Sequence, residues 1–262
     1  MSEFPLLNLD PDQVLNHVGH MSKIDLNTKS CASCPIRPRA ICSRCTDDEL
    51  NELDKIKYYK TYPAGSSVVL MGDPMMFVAS VVTGVASLSR SMVDGRMQMV
   101  GLLLPSDFIG RPGRDIASFD VTAVSELTLC HFHKKAFEKV TQATPHVQER
   151  LVEIALDELD AAREWMLLLG RKTAREKIAS FLLICARRLG RKEGKSLLLE
   201  LPLTRDAMSD YLGLTIETVS RQMAALKRDG VVVLEGTRKV TIPDLNRLLD
   251  EAGDDSDGAA LS

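Results

Sequence analysis

Residues 203–230 read LTRDAMSDYLGLTIETVSRQMAALKRDG and divide at Gly213 into two short helices. Ala207, Met208 and Leu212 give the first an inner face, Gly213 makes the tight turn, and Thr215 stands where an N-cap hydroxyl belongs. In the second, Ile216, Val219, Met223 and Leu226 fall at core spacing, which gathers Glu217, Ser220 and Arg221 on the opposite face, with Thr218 beside them. Arg221 can donate two bonds to guanine O6 and N7, Glu217 can accept from a cytosine amino group, and Ser220 can bond a base edge or a phosphate. Helix pairs with a glycine turn also occur in proteins that never meet DNA, so the flanking segments must decide.

Downstream, residues 231–234 and 238–242 around Gly236-Thr237 form a β-hairpin wing whose Arg238 and Lys239 are placed to touch phosphates. Upstream, residues 171–195 hold nine Lys or Arg (Arg171, Lys172, Arg175, Lys177, Arg187, Arg188, Arg191, Lys192, Lys195) against two acids, Glu176 and Glu193. The whole chain carries a formal charge of -3, so DNA would be met by this local patch and not by a global field. From Asp250 the chain is acidic and rich in Gly, Ala and Ser, a disordered tail by composition.

Further upstream, residues 145–169 predict one long helix. Val152, Ala155, Leu159, Ala162, Met166 and Leu169 follow at steps of 3, 4, 3, 4 and 3, the a/d pattern of a dimer seam. In that frame Glu158 of one chain faces Arg163 of the other. A second apolar set, Leu151, Ile154, Trp165 and Leu168, is left to face the chain's own β-domain. Glu153, Asp157, Glu158, Asp160 and Glu164 lie on the same helix and would repel across a dimer.

Residues 60–132 change to short β-rich runs (67–70, 76–82, 86–91, 97–104 and 121–129) broken by Gly, Pro and Asp, the texture of a barrel or jelly roll. Before them, residues 47–53 open an amphipathic helix with acids in its first turn. Of six cysteines, four crowd together as Cys31, Cys34, Cys42 and Cys45, while Cys130 and Cys185 stand apart. In a reducing compartment this spacing reads as metal or cluster ligation rather than disulfides. With 262 residues, 45% hydrophobic and 26% charged, the chain suits one large or two smaller domains, and no apolar run approaches a membrane span. A cytoplasmic location is expected.

A β-rich domain, a long dimer helix and a winged helix-turn-helix, taken together, resemble the Crp/Fnr superfamily of bacterial transcription regulators. Residues 212–221, LGLTIETVSR, resemble its recognition motif, and Phe108-Ile109-Gly110 resembles its β-roll glycine signature. The implied fold is α+β: an N-terminal jelly-roll-like β-roll sensor domain, a dimerisation helix and a C-terminal winged helix-turn-helix. The implied boundaries are residues 1–58 for an N-terminal arm and cysteine loop, 59–144 for the β-roll and 145–170 for the dimer helix. Residues 171–249 then form the DNA-binding domain and 250–262 the tail. The acidic residue and Arg-Ser pair of the cyclic-AMP branch are replaced here by Arg111-Pro112-Gly113-Arg114 and Phe119-Asp120-Val121-Thr122-Ala123, so no cyclic nucleotide is expected. Arg111 and Arg114 read as a solvated loop.

The string CASCPIRPRAICSRC, residues 31–45, is similar to the alphaproteobacterial FnrL/FnrN subgroup of the Fnr branch. That resemblance implies a [4Fe–4S] cluster on Cys31, Cys34, Cys42 and Cys130, with Cys45 the substitute for Cys42. It further implies an oxygen-responsive homodimer that binds inverted repeats like TTGAT-N4-ATCAA, meets RNA polymerase, and activates or represses genes of anaerobic or microaerobic metabolism. The competing readings are a structural zinc site on Cys31, Cys34, Cys42 and Cys45, another redox or NO signal, and a haem held by His131, His133 or His17. No enzyme motif is present, and Cys185 sits in an apolar helical setting typical of an inert thiol.

Overall fold

The computed structural model describes residues 30–92 and 94–253, so the N-terminal arm, His17 and the tail beyond Gly253 lie outside the described residues. The chain divides into two compact units between Leu156 and Asp157.

In the first unit eight strands form two four-stranded antiparallel sheets. One has the order β1-β8-β3-β6, from Lys57–Tyr62 (β1), Phe77–Thr83 (β3), Phe108–Ile109 (β6) and Leu127–His133 (β8). The other has the order β2-β7-β4-β5, from Ser67–Val69 (β2), Ala86–Ser91 (β4), Met97–Leu103 (β5) and Asp120–Ala123 (β7). Strands β3 and β8 lie inside a sheet covered on both faces, which is why VASVV and LTLCHF are almost unbroken apolar runs. Ala79, Val81, Leu127 and Leu129 point to the second sheet and pack with Ala86, Leu103, Val121 and Ala123. The alternate residues Val78, Val82, Cys130 and Phe132 point the other way, against Ile36, Ile41, Leu50, Leu53, Phe137 and Val147. Because side chains alternate, a one-residue slip of β8 would turn Cys130 to the wrong core.

Two expectations change here. Residues 121–129 are not one strand: the chain leaves β7, turns, and enters β8 in the other sheet. At that crossing a Cβ on Gly84 would lie 2.1 Å from the Glu126 carbonyl oxygen, and its φ is +81°, so only glycine fits. Cys130 therefore sits mid-strand rather than at a strand end. Strand β1, KYYKTY, was not among the expected runs; at the sheet edge its first four residues alternate half-buried and exposed, and Tyr62 at its end is buried.

Helix α1 (Asp47–Ile56) starts at a capping box between Thr46 and Glu49 and buries Leu50 and Leu53 under the first sheet. Helix α2 (Lys134–Ala143) adds Phe137 to the same core, and helix α3 (Pro145–Arg171) runs 27 residues out of this unit into the next.

The second unit holds α4 (Ala174–Leu189), again opened by a capping box between Thr173 and Glu176. Its sheet has the order β11-β12-β10-β9, from Arg191–Glu193 (β9), Ser196–Glu200 (β10), Val233–Glu235 (β11) and Lys239–Ile242 (β12). Helices α5 (Arg205–Leu212) and α6 (Ile216–Arg228) form the helix-turn-helix. A further helix, α7 (Leu245–Ala252), was not expected; it buries Leu248 and Ala252, so the folded unit passes residue 249. Cys185 is 1% exposed, as expected of a core thiol. Trp165 was expected to face the β-domain but instead stacks on Tyr211 of α5 at 4.2 Å, a contact worth about 0.5–1.5 kcal/mol beyond burial. Among the described residues no helix is long and apolar enough to cross a membrane.

Candidate cofactor site and nucleic-acid interface

The cysteine loop is a chain of tight turns. Cys34 N donates to the Cys31 carbonyl and Cys45 N to the Cys42 carbonyl, both at 3.3 Å, so each C-x2-C pair is held by the same local bond. Ile36, Ala40 and Ile41, all at most 6% exposed, anchor the loop to the first sheet. Asp54 of α1 accepts from Cys31 N at 2.7 Å and also binds Lys57, whose side chain is 9% exposed. Asp54 and Lys57 carried no sequence signal, since the bond to Cys31 spans 23 residues.

Cys31, Cys34, Cys42, Cys45 and Cys130 share one apolar core, Cys34 the least buried. Burial, then the Asp54 hydrogen bond, pushes the Cys31 thiol to about 12. Burial, then the Cys34 charge, pushes Cys42 to about 11. Burial, then Cys42 and Glu49, pushes Cys45 to about 12. Cys130 is also shifted upward, by burial first, and the thiol charges it feels are those of Cys31, Cys34 and Cys42. All five thiols share this core; the thiol charges acting on Cys130 are those of Cys31, Cys34 and Cys42, and the charges that raise Cys45 are those of Cys42 and Glu49. Such thiols ionise only if a cation compensates the buried charge. Among the described residues no three His, Cys, Asp or Glu side chains are gathered as one metal ion requires.

His131 points to the other core: its Nε2 lies 3.3 Å from the Tyr62 hydroxyl and its ring packs on Tyr58 and Phe77. Burial drives its pKa down to about 4. His133 is exposed at the end of β8.

The loop is tied to the start of α3. Arg150 donates to the Arg39 carbonyl at 3.1 Å, Arg44 pairs with Glu153 at 2.7 Å, and His146 lies 2.9 Å from Glu49. Leu151 and Ile154 pack on the cysteine core. On the other side of the helix Val152, Ala155, Leu159, Ala162, Met166 and Leu169 are all exposed, Met166 at 66%. Leu156 and Leu167 join them. Arg163 is bonded to Asp160 of its own helix at 2.9 Å, and Glu153 pairs with Arg150 as well as Arg44, so acids of this helix are partnered within the chain.

In the helix-turn-helix, Thr204 caps α5, Gly213 takes the left-handed conformation, and the Thr215 hydroxyl accepts from Thr218 N to cap α6. Val219, Met223 and Leu226 are buried, while Glu217, Ser220 and Arg221 are exposed together. Thr218 is half-buried, with its hydroxyl 3.4 Å from Arg221. The Glu217 carboxyl is held below its ordinary range by its own backbone N–H and the Thr215 hydroxyl. Ile216 was expected in the core and is 39% exposed.

The basic patch is smaller than its composition. Arg175 binds Glu251 and Asp229, Lys172 reaches Ser180 and the Ala252 carbonyl, and buried Lys177 donates to the Leu212 carbonyl. On the wing Lys239 is exposed, but the Arg238 guanidinium donates to the Leu201 and Pro202 carbonyls at 3.2 and 2.8 Å, welding the wing to the segment before α5. In the 111–114 loop, Gly113 N donates to the Glu138 carboxylate at 2.9 Å.

Residues 176–251 match the Crp-like helix-turn-helix domain family, and residues 59–144 match the cyclic nucleotide-binding domain family. Over 232 residues the chain is 62% identical to the transcriptional activator protein FnrL of Cereibacter sphaeroides, covering 87% of this chain and 94% of that protein. It is 37% identical over 211 residues to the nitrogen fixation regulation protein FixK of Bradyrhizobium diazoefficiens, covering 80% and 89%. The solved structure of FixK2 from Bradyrhizobium japonicum is similar at a TM-score of 0.70 and 30% identity, covering 79% of this chain and 100% of that one.

Proposed function

The chain belongs to the Crp/Fnr family of DNA-binding transcription regulators, which are not enzymes, and from that premise we propose that it is an oxygen-responsive homodimer. In this reading Cys31, Cys34, Cys42 and Cys130 hold a [4Fe–4S] cluster, and two copies of α6 read an inverted repeat like TTGAT-N4-ATCAA. The observation that carries it is the meeting, in one apolar core, of the loop thiols with Cys130 of β8, on which the charges of Cys31, Cys34 and Cys42 act.

When bound, the cluster supplies an oxygen-labile bridge among four thiolates. On ligation the thiols give up their protons, which the raised pKa values of Cys31, Cys42 and Cys130 otherwise oppose. With the cluster bound, Cys31, Cys34 and Cys42 would pin the loop to β8; the loop's bonds to Arg150 and Glu153, with the contact of Glu49 on α1 to His146, fix the start of α3. The opposite face of α3 carries the exposed seam, so loop position and seam position are linked, and DNA affinity follows from dimerisation. Glu217, Ser220 and Arg221 contact bases, with Thr218 beside them; Lys239 meets phosphate, and Arg238 positions the wing. The Gly113–Glu138 bond ties the 111–114 loop to α2, and no cyclic nucleotide is part of this reading. Contact with RNA polymerase, and activation or repression of anaerobic and microaerobic genes, belong to the same reading; the FnrL relative is named as a transcriptional activator.

The test is the visible spectrum of protein purified without oxygen, before and after a pulse of air, with iron and zinc assayed on the same sample. A band near about 420 nm that bleaches, with about four irons per chain, is the expected result. Colourless protein with stoichiometric zinc would make the cysteine site structural.

A further inference from the structure

Cys130 has a neighbour directly across each of its ladders, Tyr59 on β1 and Ser80 on β3. Directly opposed residues of an antiparallel pair project from the same face of the sheet, about 4.5–5.5 Å apart at Cβ. On that face Val78, Val82 and Phe132 pack with Cys31, Cys34 and Cys42. Ser80, between Val78 and Val82, is 2% exposed, and its hydroxyl has no hydrogen-bond partner among the described residues. A position that only filled this core would favour an apolar side chain, as at Val78 and Val82, because buried hydroxyls need a partner. The burial of the Tyr59 hydroxyl, and then the thiols of Cys130, Cys34 and Cys31, raise its pKa, so this side of β8 faces the thiol group as a whole.

We propose that the Ser80 hydroxyl donates a hydrogen bond to the Cys130 sulfur when the cluster is bound, and that this bond slows the loss of the cluster to oxygen. The inference rests on reading Cys130 as a ligand. A protonated thiol is a weak acceptor, whereas a thiolate sulfur is charged and draws a short, strong bond from a nearby O–H. Hydrogen bonds to the sulfurs of an iron–sulfur centre favour its more electron-rich state. Oxygen attack begins as the centre passes one electron to dioxygen, which becomes superoxide, so a donor at Cys130 makes that step harder. Ser80 is a positioning and tuning residue and not a ligand.

The experiment uses full-length protein assembled without oxygen as wild type, Ser80→Ala and Ser80→Thr. All three should hold the same iron. The 420 nm band of Ser80→Ala should bleach about fivefold faster in air, the effect of one ordinary hydrogen bond. Its iron–cysteine stretching bands in the resonance Raman spectrum should shift, and should lose part of the sensitivity to D2O exchange seen in wild type. Ser80→Thr, which keeps the hydroxyl, should track wild type in both. An unchanged bleaching rate in Ser80→Ala, Thr behaving like Ala, or wild-type bands indifferent to D2O would each overturn the proposal. Wild type with no iron–sulfur band would instead overturn the cluster reading beneath it, which the parent spectrum alone reveals.

Discussion

On α6, Glu217, Ser220 and Arg221 stand in solvent on a helix capped by its own Thr215 and seated by Val219, Met223 and Leu226 a turn away. On β8, Cys130 is 6% exposed, and every thiol it meets comes from a loop some ninety residues earlier in the chain. The two regions answer different physical demands. A reader of base edges needs polar atoms presented outward on a rigid local frame. A sensor centre needs soft ligands shielded by apolar walls, with its ionisation opposed until the right charge arrives. The proposed reading surface is therefore built from neighbours in sequence, and the proposed sensor centre from neighbours in space.

The hardest blow to this contrast would come from the cysteines themselves. Cys130→Ser and Cys42→Ser should each drop iron from about four per chain to near zero in anaerobically assembled protein, while Cys45→Ser should keep the iron, since Cys45 lies beside Cys42 and Glu49. Iron retained by Cys42→Ser and lost by Cys45→Ser would exchange their roles.

Placing a charge on the seam tests whether its exposure is that of an interface. Leu159→Glu should shift the loaded protein from dimer to monomer by sedimentation, weakening association about a hundredfold or more, as when a charge is left in an apolar contact. An unchanged dimer would mean that α3 packs with something else.

At the reading face, Arg221→Ala should cost about 1–3 kcal/mol per half-site and relax the preference for guanine. A uniform loss across all sequences, measured by competition binding, would demote Arg221 to a phosphate contact.

The smallest effects should separate the wing's two cations. Lys239→Ala should reduce the salt slope of DNA binding by about one while leaving stability unchanged. Arg238→Ala leaves two buried carbonyls without their donor and should lower the stability of the second unit by about 1–3 kcal/mol in thermal unfolding. Equal salt effects from both would mean that Arg238 also reaches phosphate.

Much of the second unit could be read directly from the chain. The N-cap at Thr215, the turn at Gly213 and the apolar spacing of α6 are local signals, and each appears where expected. The six seam positions were likewise a matter of counting, and all six are exposed. Arg238, Lys172, Arg175 and Lys177 were misread as surface cations, because a basic residue bound to a carbonyl or a distant acid looks the same in sequence as one facing solvent. Ile216 and Trp165 were misassigned for a related reason: periodicity tells which residues share a face, but not what that face meets.

The amino-acid sequence by itself determined the elements, their caps, the recognition surface and the list of thiols. It also determined the family to which the chain belongs. Only the tertiary structure decided which thiols stand together, why β8 must split from β7 for Cys130 to face the loop, and that Ser80 closes the same face. The reason is physical: capping and helical spacing act over three or four residues, whereas burial and charge coupling depend on distances that the folded sheet alone creates.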